Sequence, residues 1–213
     1  MPGTRMVETV DLSTLDASTL QAKVAAARSA MDAAPKDAKL EAEVNAAVRA
    51  EIKKIQEFAQ ANPGAEFAKA NQHLLSRGGP GAESTTETWL CGGSVNLTSF
   101  AWWALGGTVM FKPPLAFMFG AKGGPDWAAS TFTSGIAGSF VVDPDKIRTQ
   151  EMRWDGSAYK GRCKFQLGQL GAGAGAVRIS FYSPSGTYWG LLGGISGGLG
   201  GASISGDCDL LWT

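Results

Sequence analysis

Two stretches decide the fold: residues 108–124, TVMFKPPLAFMFGAKGG, and residues 178–194, RISFYSPSGTYWGLLGG. Phe111, Pro114, Gly120, Gly123 and Gly124 of the first return as Phe181, Pro184, Gly190, Gly193 and Gly194 of the second, at a constant offset of seventy residues. Each stretch reads as a short alternating strand, a proline turn and an aromatic strand that ends in glycines, which is the grammar of an all-β unit. Ala104 with Ala174 adds a sixth match, and in so glycine-rich a region the ordered spacing weighs more than the count. A unit written twice, able to close edge to edge on its copy, is foremost a statement about architecture.

Working outward, composition divides the 213 residues in two. Residues 1–78 hold twenty charged side chains and three glycines, residues 89–213 sixteen charges and twenty-four glycines. Between them, SRGGPGAESTTET (Ser76 to Thr88) has a linker's composition. The expected organisation is therefore a helical region over 1–78, a linker over 79–88 and a Gly-rich β-barrel domain over 89–213. Net charge is zero, with ten basic against ten acidic residues in the first half and nine against seven in the second. No basic field for nucleic acid is built, so no nucleic-acid partner is expected.

In the first half, Ser18 to Gln21 fits a capping box opening an Ala-rich helix to about Ala34. After Ala34, Pro35 and Lys36, a second helix over 37–61 places Leu40, Val44, Val48, Ile52, Ile55 and Phe58 on one face. The short turn predicts an antiparallel hairpin, with a third short helix over 65–75. The apolar stripes read as a seam between helices or against the barrel. The other readings are a membrane-active or partner-binding hairpin, including homo-oligomers through the helical region, although mixed charges on the polar faces suit a soluble surface better.

In the second half, alternation broken by Gly and Pro marks strands near 89–98, 100–104, 107–112, 115–120, 135–142, 161–167, 176–182, 187–192 and 205–212. These are nine segments for about eight strands, the first two competing for one place. The fold class predicted is α+β: an N-terminal helical hairpin followed by a closed antiparallel barrel of two repeated Greek-key-like units. Leu97 to Ala121 has the length of a membrane span, but Gly106, Gly107, Pro113 and Pro114 break any helix there, and it reads as a strand pair. The N-terminus shows no signal-peptide pattern, so the chain is expected in the cytoplasm before export, and secreted or delivered to a target cell by another route. Cys91, Cys163 and Cys208 read as small buried thiols, with Cys91 and Cys208 the pair that strands could join.

The C-terminal stretch VRISFYSPSGTYWGLLGGISGGLGG, with a last strand ending in Trp212, resembles the closing unit of the virulence-associated proteins secreted by Rhodococcus. The resemblance covers at most residues 89–213. It implies a small eight-stranded barrel of two Greek-key units after a variable N-terminal region, and a non-enzymatic effector acting on host endolysosomal membranes or their contents. It brings no catalytic residues. This chain departs from the family in its helical half, its cysteines and the missing signal peptide.

The chemical motifs are sparse. GAGAGAV (Gly171 to Val177) lacks the strand-before, helix-after context of a dinucleotide loop, and GGISGGLGG (Gly193 to Gly201) lacks the Lys and Ser/Thr of a phosphate loop. His73 is the lone histidine, which leaves a triad or zinc site poorly supplied. Asp143 with Asp145, and Asp207 with Asp209, are carboxylate pairs that read as a proline turn and a solvated strand face. No enzyme activity, metal or cofactor is expected. Aromatic residues carry the functional signal, with Trp102, Trp103, Phe117, Phe119, Trp127, Tyr188 and Trp189 the candidates for membrane or ligand contact. The leading expectation is a toxin-like or virulence-type effector at membrane lipid. The alternative is a soluble barrel module for a carbohydrate or other small ligand, with helices for assembly.

Overall fold

The computed structural model describes residues 38–75, 88–99, 103–112, 115–123, 132–169, 176–195 and 204–212, together with Ser18, Thr19, Ala22, Ala25, Ala26 and Ser29. Among the described residues there are nine strands: β1 (Trp89–Ser99), β2 (Trp103–Met110), β3 (Ala116–Gly123), β4 (Phe132–Phe140), β5 (Arg153–Trp154), β6 (Tyr159–Gln169), β7 (Ala176–Tyr182), β8 (Tyr188–Ile195) and β9 (Ile204–Trp212). Eight of them close an antiparallel barrel in the order β6, β7, β8, β4, β1, β2, β3, β9, with β9 returning to β6. The two-residue β5 stands beside the start of β6.

The strands of the two halves begin 70 (β1, β6), 73 (β2, β7), 72 (β3, β8) and 72 (β4, β9) residues apart, so the constant seventy-residue register holds for the first pair only. β1 and β6 begin at Trp89 and Tyr159, and in each half the fourth strand lies beside the first, followed by the second and third. The halves meet at two joints, β4 with β8 and β3 with β9. Of the predicted segment 100–104, residues 100–102 lie outside the described residues. Trp103 pairs with Ser99 and opens β2, which runs on to Met110. The stretch between Leu97 and Ala121 is a paired hairpin, its turn tied by Phe111 N–H to Leu115 O and Leu115 N–H to Lys112 O. Among the described residues, no helix is long and apolar enough to cross a membrane.

The barrel interior is filled. Phe117, Phe119, Phe140, Phe165, Phe181, Trp189 and Trp212 are buried in one cluster with Val109, Leu167 and Leu192. Phe117 and Trp212 lie 4.6 Å apart, and Phe119 meets Phe181 edge-on at 5.2 Å. Room for the rings comes from glycine across the strand. Gly190 faces Phe140 on one side and Phe181 on the other, and a Cβ there would stand 2.5 Å from the Phe140 Cα.

A long helix, α1 (Ala38–Ala61), lies outside the barrel and buries Leu40, Val44, Val48, Ile52 and Ile55 against Val141, Tyr188 and Leu191. The stripe follows the expected positions up to Ile55 and then continues to Ala59 in place of Phe58. Phe58 is exposed and meets Phe67 edge-on at 5.6 Å. Of the earlier predicted helix, the six described positions between Ser18 and Ser29 are helical, and the rest lies outside the described residues, as does most of the linker.

The third predicted helix is two short ones, α2 (Glu66–Ala70) and α3 (Gln72–Leu75), broken at Asn71. Asn71 is fully buried and bonds in three directions. Its Nδ2 donates to Phe67 O and Gly186 O, both at 2.9 Å, and its Oδ1 accepts the Tyr188 N–H at 2.7 Å. Asn71→Ala strands a buried N–H and a carbonyl, and should lower stability in urea unfolding by about 3 kcal/mol. Gly190→Ala should cost about 3 kcal/mol in the same measurement, since overpacking here pushes on backbone and not on a flexible side-chain end.

Candidate functional site

The barrel has two ends. Trp89, Met110, Ala116, Phe140, Tyr159, Tyr182, Tyr188 and Trp212 all lie at one of them, as the strand registers show. That end is covered by residues 141–152. Asp143 accepts the Asp145 N–H at 2.9 Å and caps a single turn, α4 (Pro144–Lys146), which runs into a π-helical turn, Ile147–Glu151. Ile147 and Met152 are buried in the barrel core from this segment. Gly161 makes space for Met152, because a Cβ there would fall on the methionine sulfur.

From this cover the chain enters a tight hairpin, β5 to β6, whose turn is Asp155–Gly156–Ser157–Ala158. The Asp155 Oδ1 accepts from Ser157 N–H at 2.9 Å, Ser157 O–H at 2.8 Å and Ala158 N–H at 2.9 Å. Its Oδ2 pairs with Lys160 Nζ at 2.7 Å. Gly156, at φ 101°, supplies the left-handed residue that this turn requires. The Lys160 ion pair first, and the turn's N–H groups with it, hold the Asp155 carboxyl well below the ordinary carboxylate range.

The hairpin presents Trp154. Its side chain is 57% exposed, yet its ring lies 5.0 Å from Tyr159, and the Arg148 guanidinium sits over the other aromatic at 5.1 Å from the Tyr159 centroid. Arg148 is itself held by Asp145 at 2.6 Å. Arg153 is exposed beside the tryptophan. Covering such a ring is favourable by about 1.5 to 3 kcal/mol, and here the fold leaves it open. Leu90, 64% exposed on β1, lies at the same end.

The residues expected to make contact are placed otherwise. Phe117 and Phe119 share the inward face of β3, and Trp189 joins them in the core. Tyr188, next in sequence, points outward but is covered by α1. All four are at most 2% exposed, so they serve packing and offer nothing to lipid or ligand in this fold. Trp103 lies on β2, and its side chain, like Trp102 and Trp127, falls outside the described residues. The sequence signal that would have found Trp154 is the Asp155–Gly156 hairpin turn that follows it.

A second polar cluster lies under α1. Glu51 accepts the Tyr182 hydroxyl at 3.2 Å and faces Arg178 at 3.6 Å. Burial, and then the Glu51 carboxylate, push the Tyr182 hydroxyl above its usual range. These groups hold helix to barrel. Asp207 and Asp209 are exposed on one face of β9, where Asp209 pairs with Arg162 at 3.2 Å. Among the described residues, no three His, Cys, Asp or Glu side chains gather as a metal site. Because the folded Asp155 value is depressed, its contribution is present above the ordinary carboxylate range and is lost only as pH falls through the lowered value. Carboxyl NMR titration should find the Asp155 midpoint well below the ordinary aspartate range, and Lys160→Ala should move it back toward that range.

No protein-family model matches the sequence, and no curated protein matches it either. A search of solved structures finds the virulence-associated protein VapB from the intracellular pathogen Rhodococcus equi, at 18% identity and a TM-score of 0.35. The alignment spans 60% of this chain and 98% of that one. At that identity and TM-score, the likeness carries no residue role and no activity over to this chain.

Proposed function

We propose that this protein is a non-enzymatic, effector-type binding module that docks on a membrane surface through the covered end of its barrel, with Trp154 entering the interface. The observation that carries this reading is the braced exposure of Trp154. Its ring is open to solvent, while Tyr159 and the Asp155 turn fix its orientation and so reduce the entropy lost on contact. An indole suits the boundary between water and lipid, being apolar in body with one polar N–H. Charges around it are mixed, Arg148, Arg153 and Lys160 against Asp145, Glu151 and Asp155, so contact depends on the ring more than on a net positive field.

Within this reading the two four-stranded halves are Greek-key units of a duplicated barrel, and the helices are a docked accessory. A toxin-like or virulence-type role is the setting that the sequence resemblance implies. The carbohydrate alternative would use the same ring, and the test separates the two.

Co-sedimentation with phosphatidylcholine vesicles, with and without phosphatidylserine, is compared for the wild-type chain and Trp154→Ala, alongside a pull-down on insoluble polysaccharide. Wild type should pellet with both vesicle types and Trp154→Ala should lose at least about tenfold in binding, with its melting temperature unchanged because the ring is exposed. Equal binding by both proteins, or retention on polysaccharide with none on vesicles, overturns the membrane reading.

A further inference from the structure

Cys163 and Cys208 stand directly opposite each other in the antiparallel register of β6 and β9. Both are 1% exposed and both point into the barrel, since Arg162 and Lys164 on one strand and Asp207 and Asp209 on the other face solvent. Opposed antiparallel residues have Cα atoms about 4.5 or 5.5 Å apart. Either spacing falls in the range of about 4.4 to 6.8 Å that a disulfide spans. Cys91 is elsewhere. It lies on β1, separated from β9 by β2 and β3, so the pairing that chain position alone suggests, Cys91 with Cys208, is replaced by one set by strand register.

We propose that Cys163 and Cys208 are a latent structural disulfide, formed when the chain folds against an oxidised low-molecular-weight thiol and then sealed inside the barrel. The chemistry is two exchanges. One cysteine thiolate attacks the sulfur of a small disulfide such as oxidised glutathione and expels a glutathione thiolate. The other cysteine thiolate attacks the resulting mixed disulfide and expels the second. The protein sulfurs are oxidised, the glutathione disulfide is reduced to two thiols, and the two cysteine protons pass to them. Both steps need thiolates in contact with solvent. In the finished barrel the sulfurs are covered, and burial, with the neighbouring Cys208 thiol, pushes the Cys163 thiol well above its usual range. The redox state is therefore set before β9 closes on β6 and held afterwards. The bond would tie the last strand to β6 across the β7–β8 hairpin, the 163-to-208 loop being long enough for a substantial loss of unfolded-state entropy.

The full chain is unfolded, refolded in oxidised and reduced glutathione or in reductant alone, and compared by intact mass, thiol alkylation and peptide mapping at acid pH. Protein purified from oxidising and reducing expression hosts repeats the comparison without refolding. The oxidised sample should be lighter by about 2 Da, the two hydrogens of the exchange. Mapping should show a 163–208 link that survives in Cys91→Ala, and the oxidised form should melt about 10 °C higher. Reductant added to folded oxidised protein should leave the bond intact until denaturant is present. Three alkylatable thiols after oxidative folding, a link through Cys91, or an oxidised form that melts no higher overturns the proposal.

Discussion

A narrow barrel of eight strands has an interior only as wide as its side chains, and this one is filled with rings because glycines sit across from them. Phe140 and Phe181 flank Gly190, Phe165 faces Gly206, and Phe119 faces Gly107. A side chain at those glycines would compete with the rings for volume, and a smaller residue in place of a ring would leave a void that the closed strand circuit could not collapse to fill. The high glycine content is thus the complement of the aromatic content. Among the described residues, the packed rings leave the rim, the outer strand faces and the helix as the surfaces open to solvent.

The outer surface is divided by the same alternation. Trp189 goes inward and Tyr188 outward, so one strand contributes to two apolar clusters at once. The outward cluster needs a cover, and α1 supplies it with a stripe of Val and Ile at helical spacing. Apolar packing seats the helix, while Glu51, with Arg178 and Tyr182, fixes its rotation and its register along the strands, and Asn71 ties the short helices after it to the start of β8. Polar groups at such a seam add little net free energy when satisfied and cost much when parted, which makes them selectors of one docking geometry.

Much of this was legible in the sequence. Alternation broken by Gly and Pro located most strands of the second half and its all-β character, and the Leu40-to-Ile55 stripe located α1 and its buried face. The limits were physical. Alternation states that adjacent residues face opposite ways, but not which outward residues another element will cover, so Tyr188 was grouped with contact candidates although α1 buries it. Asn71 sits inside a run that reads as one helix, and its buried role depends on backbone groups of Gly186 and Tyr188 more than a hundred residues away. Trp154 was passed over because it lies outside the repeated stretches, on a strand of two residues that exists only by leaning on β6.

The groove that receives α1 is made half by Val141, just beyond β4, and half by Tyr188 and Leu191 of β8. Those two strands belong to different halves of the barrel, and β4 meets β8 only at the joint between them. Neither half alone offers the helix a complete seat. The complete seat for α1 exists only where β4 has paired with β8. In a chain whose β4 and β8 stay apart, α1 lacks part of the apolar surface that covers its stripe, and a helix left uncovered is open to proteases.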